Sequence, residues 1–204
     1  MLQLGRCSRR SVMAESEDRS CPVCGRGLVE PPSRRGHRAD VMFYNCPRCG
    51  TFGLTWPAKR MIGPWLERDA RNSTILGHLL RRMQTAQEWP LVNSDVVERI
   101  ISSSQLPTPH EQADILVRWL GEHLPGPGER MIVSFDHHGA IVGAFTVDGF
   151  VFVLKGLTES GLLESSLGGG GRANVTLTFA GWQRYEELLR GAQRTERLHG
   201  DAVR

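Results

Sequence analysis

Two C-x2-C pairs near the N-terminus, apolar residues at helical spacing through the middle, and a helix–strand–helix–helix–hairpin–helix order after them predict an α+β protein. The parts expected are a disordered tail over residues 1–19, a four-cysteine zinc ribbon over 20–56, a helical connector over 57–105, a winged-helix domain over 106–191 and a polar tail over 192–204. With 204 residues, 40% hydrophobic and 23% charged, the composition is that expected of a soluble globular chain of one or two small domains.

The two pairs are CPVCG at 21–25 and CPRCG at 46–50, with twenty-one residues between Cys24 and Cys46. Thiolates two residues apart can meet one tetrahedral ion from a tight turn. Gly25 and Gly50 suit the positive φ that ends such a turn, and Pro22 and Pro47 set the chain direction inside it. Disulfides would need an oxidising compartment, and the first twenty residues lack an apolar export segment. A redox dithiol needs only one pair; an iron–sulfur cluster suits the ligands but is less common in this arrangement. The preferred reading is one structural Zn2+ held by Cys21, Cys24, Cys46 and Cys49, with no ligand position open for catalysis. Cys7 reads as a free thiol.

Between the pairs, GLVE and ADVMFYN read as short strands, and TFGLTW completes a small sheet. Arg34, Arg35, His37 and Arg38 crowd the intervening turn, with Arg26 and Arg48 at the knuckles. Residues 1–60 carry eleven basic and five acidic side chains, so any polyanion footprint belongs to this part of the chain. The cluster reads either as a phosphate-contacting tip, with Phe43, Tyr44 or Phe52 stacking on bases, or as a solvated loop offsetting thiolate charge. The solvated loop is preferred.

In the connector, Pro57 can open a helix whose apolar face is Met61, Ile62, Trp65 and Leu66. Asn72 or Ser73 can cap a second, carrying Ile75, Leu76, Leu79, Leu80 and Met83, with His78 as a packed core histidine. Ser94 and Asp95 start a third.

Thr108-Pro-His-Glu111 is a capping-box signature and opens a helix that ends before Pro125. MIVSF at 131–135 reads as a strand, HHGAIVGAF at 137–145 as a short helix, and GFVFVLKGLTESG as a longer helix capped by Asp148. LLESS and ANVTLTF form a hairpin around Gly168–Gly171, and a helix over 180–190 closes the domain. His137 and His138 read as turn or surface residues. The candidate recognition helix carries one cation, Lys155, against Asp148 and Glu159, and the wing offers Arg172 alone. That supply is poor for phosphate contacts and favours a winged helix used for protein contacts.

No GKS/T, GxSxG, HExxH or paired-carboxylate motif occurs, so no catalytic residue is nominated and an enzyme is not expected. No apolar run approaches the roughly 20 residues of a membrane span, and with no export segment a cytoplasmic location is expected.

CPVCG, YNCPRCGTFGLT, GHLLRRMQ, LPTPHEQADILVRWLG, VDGFVFVLKGLTESGLLE and VTLTFAGWQRYEELL together resemble one recurring bacterial module. It is similar to the N-terminal zinc-ribbon and winged-helix region of proteins linked to anti-phage defence, some with effector domains resembling nucleoside deoxyribosyltransferases or TIR domains. The resemblance spans about residues 20–190 and carries over only the four cysteines as site residues. The chain stops shortly after the last helix, so an effector domain is either absent by nature or cut away. The function expected is a non-enzymatic sensor or adaptor of a defence or regulatory system, with a protein partner or a homodimer. The alternative is a DNA-binding regulator touching phosphate through Arg34, Arg35, Arg38 and Arg172. An exposed apolar patch on the 148–162 helix favours the first, and full burial of Phe150, Phe152 and Leu157 removes that support.

Overall fold

A computed structural model describes residues 19–34, 40–85, 88–103 and 105–201. The architecture is mixed α+β, in two compact units, Met1–Ser104 and Gln105–Arg204, each with its own apolar core.

In the first unit, β1 (Val41–Cys46) and β2 (Gly50–Thr55) form an antiparallel hairpin in which Tyr44 faces Phe52 and Cys46 faces Gly50. A two-residue strand, β3 (Leu91–Val92), adds to β2 in parallel and lies outside the sequence expectation. GLVE at 27–30 is not the strand expected. Gly27 makes an isolated bridge to Ser20 and Ser33 another to Phe43, while the Val29 amide donates to the Asn45 carbonyl at 2.9 Å. Pro31 and Pro32 follow directly and have no N–H to continue a ladder.

The Thr55 side chain accepts the Ala58 N–H and starts α1 (Trp56–Arg68), with Pro57 in its first turn. The next helix, α2 (Ala70–Met83), is capped earlier than expected. Asp69 accepts the Arg71 N–H at 2.8 Å, and its negative charge suits a helix N-terminus better than Asn72 or Ser73. Asn72 instead donates its side-chain amide to the Trp65 carbonyl at 2.6 Å, tying α2 to α1. Asn93 caps α3 (Ser94–Ser103) by accepting the Val96 N–H. His78 is buried, as expected of a core histidine. Phe52, Leu54, Ile62, Leu76, Leu80 and Val92 share one core with Cys21, Cys46 and Cys49.

In the second unit, α4 (Pro109–His123) begins with the expected capping box: Thr108 accepts the Glu111 N–H, and Glu111 accepts the Thr108 N–H at 2.7 Å. Then come β4 (Met131–Ser134), α5 (Phe135–Val142), α6 (Val147–Glu159), β5 (Leu163–Leu167), a 3-10 turn at Gly169–Gly171, β6 (Arg172–Leu177) and α7 (Phe179–Asp201). The sheet order is β4-β6-β5, antiparallel throughout. The cap of α6 is Thr146, which accepts the Gly149 N–H at 3.0 Å; Asp148 sits inside the first turn. The last helix runs past residue 190, and Arg184 ties it to α4 through hydrogen bonds to Asp114 of 2.8 to 3.0 Å. Leu116, Leu120, Phe150, Leu154 and Val175 are fully buried at the centre. Among the described residues, no single helix is long and apolar enough to cross a membrane.

Candidate metal centre

The first knuckle is closed by the Gly25 N–H donating to the Cys21 carbonyl at 2.9 Å and by the Cys21 N–H donating to the Arg26 carbonyl at 2.8 Å. The second is built by the hairpin: Cys46 ends β1, and Cys49 directly precedes β2. Its Cys49 N–H donates to the Cys46 sulfur at 3.4 Å, which orients that sulfur inward. Gly25 and Gly50 both take positive φ, 70° and 80°.

These turns bring Cys21, Cys24, Cys46 and Cys49 together, with all four sulfurs within 4.8 Å of one another. All four are free thiols, and three are buried. Four thiolates about 2.3 Å from a tetrahedral ion stand about 3.8 Å apart, so the spacing fits one closed site with no disulfide. Left to themselves, four sulfurs cannot all ionise. Hydrogen bonding with Cys24 pushes the Cys21 thiol up, while hydrogen bonds from Cys21, Cys24 and Cys49 hold the Cys46 thiol down. A bound cation supplies positive charge that lets the set ionise together.

The arrangement has a shell that the cysteine pattern does not reveal. Arg81 of α2 donates Nε to the Arg48 carbonyl at 2.8 Å and Nη2 to the Pro47 carbonyl at 2.5 Å, clamping the second knuckle with both arms. Burial lowers the pKa of its guanidinium, and the charge of Cys49 and Cys46 pulls it back up. Gln84 donates to the Cys49 and Thr51 carbonyls at 3.1 and 3.0 Å. It fills the space beside Gly50, where a Cβ would overlap it. The only trace of this shell in the sequence is the RRMQ at the end of the second helix, which enters the sequence analysis only within the motif GHLLRRMQ.

The proposed phosphate-contacting residues stand differently. Arg34 is exposed in the first unit and Arg172 in the second. Arg35 and Arg38 lie outside the described residues, as does Cys7. Tyr44 and Phe52 are not available for base stacking: they stack on each other at 5.4 Å between centroids and are buried at 4% and 0% exposure. Phe43 is half-buried, edge-on to Trp89. Arg48 is buried too. On α6 the test residues divide: Phe150 and Leu157 are core, and Phe152 is 65% exposed.

Comparisons with protein-family models, curated proteins and solved structures find no match to this chain, so its function is argued from the site itself.

Proposed function

We propose that the chain is a non-enzymatic adaptor: a zinc ribbon stabilises the first unit, and a winged helix in the second makes protein contacts. The ion assigned is Zn2+, because four thiolates in a closed tetrahedron are its common structural ligand set. The winged-helix reading rests on the order of α4, β4, α5, α6, the β5–β6 hairpin and α7 around a three-stranded sheet. The resemblance to defence-associated proteins suggests a bacterial defence or regulatory setting and remains part of the proposal.

The observation that carries the protein-contact reading is the outward face of α6. In a DNA-binding winged helix, the corresponding helix enters the major groove. Here its solvent side presents Phe152 and one cation, Lys155, between Asp148 and Glu159. Phosphate contacts need several cations, and an exposed aromatic flanked by opposite charges suits a protein surface.

The test is a fluorescence-anisotropy titration of zinc-loaded protein against short single- and double-stranded DNA and RNA at two salt concentrations. The expected result is no saturable binding at low salt. Micromolar binding that weakens with salt, and is lost on combined Arg34→Ala, Arg35→Ala and Arg38→Ala substitution, would overturn the reading in favour of a nucleic-acid regulator.

A further inference from the structure

We propose that an open cleft at the start of α7 binds a free α-amino acid with an apolar side chain, which gives the second unit a small-molecule site. The cleft measures about 490 Å³, within the roughly 300–1,000 Å³ typical of small-ligand sites. Phe179, Trp182 and Glu186 line its helical side at i, i+3 and i+7, and Arg130, Glu164 and Thr176 line its sheet side. Two polar atoms of these residues, Thr176 Oγ1 and Trp182 Nε1, are buried and have no hydrogen-bond partner among the described residues. Thr176 is 6% exposed although it lies on the outer face of β6: Ala173, Val175 and Leu177 take the core side, and Asn174, next on the outer side, is exposed. Its cover is an ion pair. Glu164 faces Thr176 from β5, and Arg130, directly before the Met131 that faces Val175, flanks it from β4. The Arg130–Glu164 contact of 3.4 Å therefore crosses over the threonine.

The chemistry of the lining selects the ligand. An indole N–H and a guanidinium only donate, and the threonine hydroxyl completes a set of three donors suited to a carboxylate. Glu164 and Glu186 supply acceptors for an ammonium, and Phe179, 80% exposed, offers its ring to an apolar side chain. One cation against two carboxylates disfavours a phosphate, whereas a zwitterion adds no net charge. The Arg130 and Glu164 side chains are 59% and 65% exposed, so their pair is weak and opens at little cost. Opening it uncovers the Thr176 hydroxyl, gives Arg130 to the ligand carboxylate and frees Glu164 for the ammonium. Two charge-assisted contacts then replace one, and the two unpartnered atoms gain the partner that burial denies them.

The experiment is proton–nitrogen correlation NMR on the full, zinc-loaded chain, with the Trp182 indole N–H as reporter and Trp182→Phe to assign its signal. Each proteinogenic L-amino acid is added to about 10 mM, a range that reaches weak ligands. At least one with an apolar side chain is expected to move the Trp182 signal saturably. Its N-acetyl and carboxamide derivatives, each lacking one charge, are expected to bind at least about 10-fold more weakly, as is the amino acid itself to Glu186→Gln. Thr176→Val is expected to weaken binding while keeping or raising the unfolding temperature, because it removes a buried hydroxyl that has no partner. A Trp182 signal that no amino acid moves would rule out the site, as would derivatives that bind as well as the parent, or full affinity in both Thr176→Val and Glu186→Gln. The nucleic-acid titration reads other residues, so this site can fail while the protein-contact reading stands.

Discussion

Cys49→Ser is expected to lose the metal ion and unfold residues 19–103 while residues 105–201 keep their structure. Cys49 is fully buried, and its sulfur, with those of Cys21 and Cys46, belongs to the same core as Phe52, Leu54 and Leu80. A serine hydroxyl stays protonated at neutral pH and replaces one of four charged ligands. Metal binding to ribbon-sized domains is worth about 10–16 kcal/mol in apparent free energy. Half of that binding energy, about 5–8 kcal/mol, is as large as the whole stability of many small domains, about 5–15 kcal/mol, so its loss is expected to unfold the first unit. The second unit has a separate core around Leu120, Phe150 and Leu154, and among its described residues no three or more candidate ligands cluster as the four cysteines do. Scanning calorimetry of the wild type should therefore resolve two transitions, with the variant retaining one and elemental analysis finding no bound zinc. A variant that keeps both transitions would mean that the first unit folds without its ion.

Arg81→Ala carries the next largest expected effect. It leaves the Pro47 and Arg48 carbonyls without the donors they have at 2.5 and 2.8 Å. Each partly buried carbonyl left unpaired costs about 1–3 kcal/mol, and the knuckle they belong to loses its clamp. Outer-shell substitutions of this kind lower metal affinity about 10-fold to 100-fold. Competition with a chromophoric chelator should show that drop, together with a lower first calorimetric transition and an unchanged second one. Arg81→Lys is expected to recover only part of the affinity, because an ammonium cannot reproduce the two-armed guanidinium geometry. Wild-type affinity in Arg81→Ala would reduce the clamp to a packing contact with no bearing on the site.

What the sequence revealed follows the range of the interactions involved. The four cysteines were legible because two short turns with Gly25 and Gly50 dictate their local geometry. The Thr108–Glu111 cap was legible for the same reason, being complete within four residues. The Arg81 and Gln84 contacts bridge more than thirty residues of chain, and nothing local in RRMQ distinguishes a clamp from a helix end. Phe43, Tyr44 and Phe52 show a related limit. An aromatic strand residue reads alike whether it faces a ligand or the core, and here the Tyr44–Phe52 pairing turned two of them inward. GLVE had strand-like composition, but Pro31 and Pro32 cut its ladder to isolated bridges. On α6, periodicity separated buried Phe150 from exposed Phe152 only once the core was in place.

The measurement that tests the central claim most directly is zinc K-edge X-ray absorption on the purified wild-type chain. The expected result is one zinc ion per chain with a single shell of four sulfurs at about 2.3 Å. Nitrogen or oxygen in that shell, or a folded first unit that holds no zinc, would contradict a closed four-cysteine structural site.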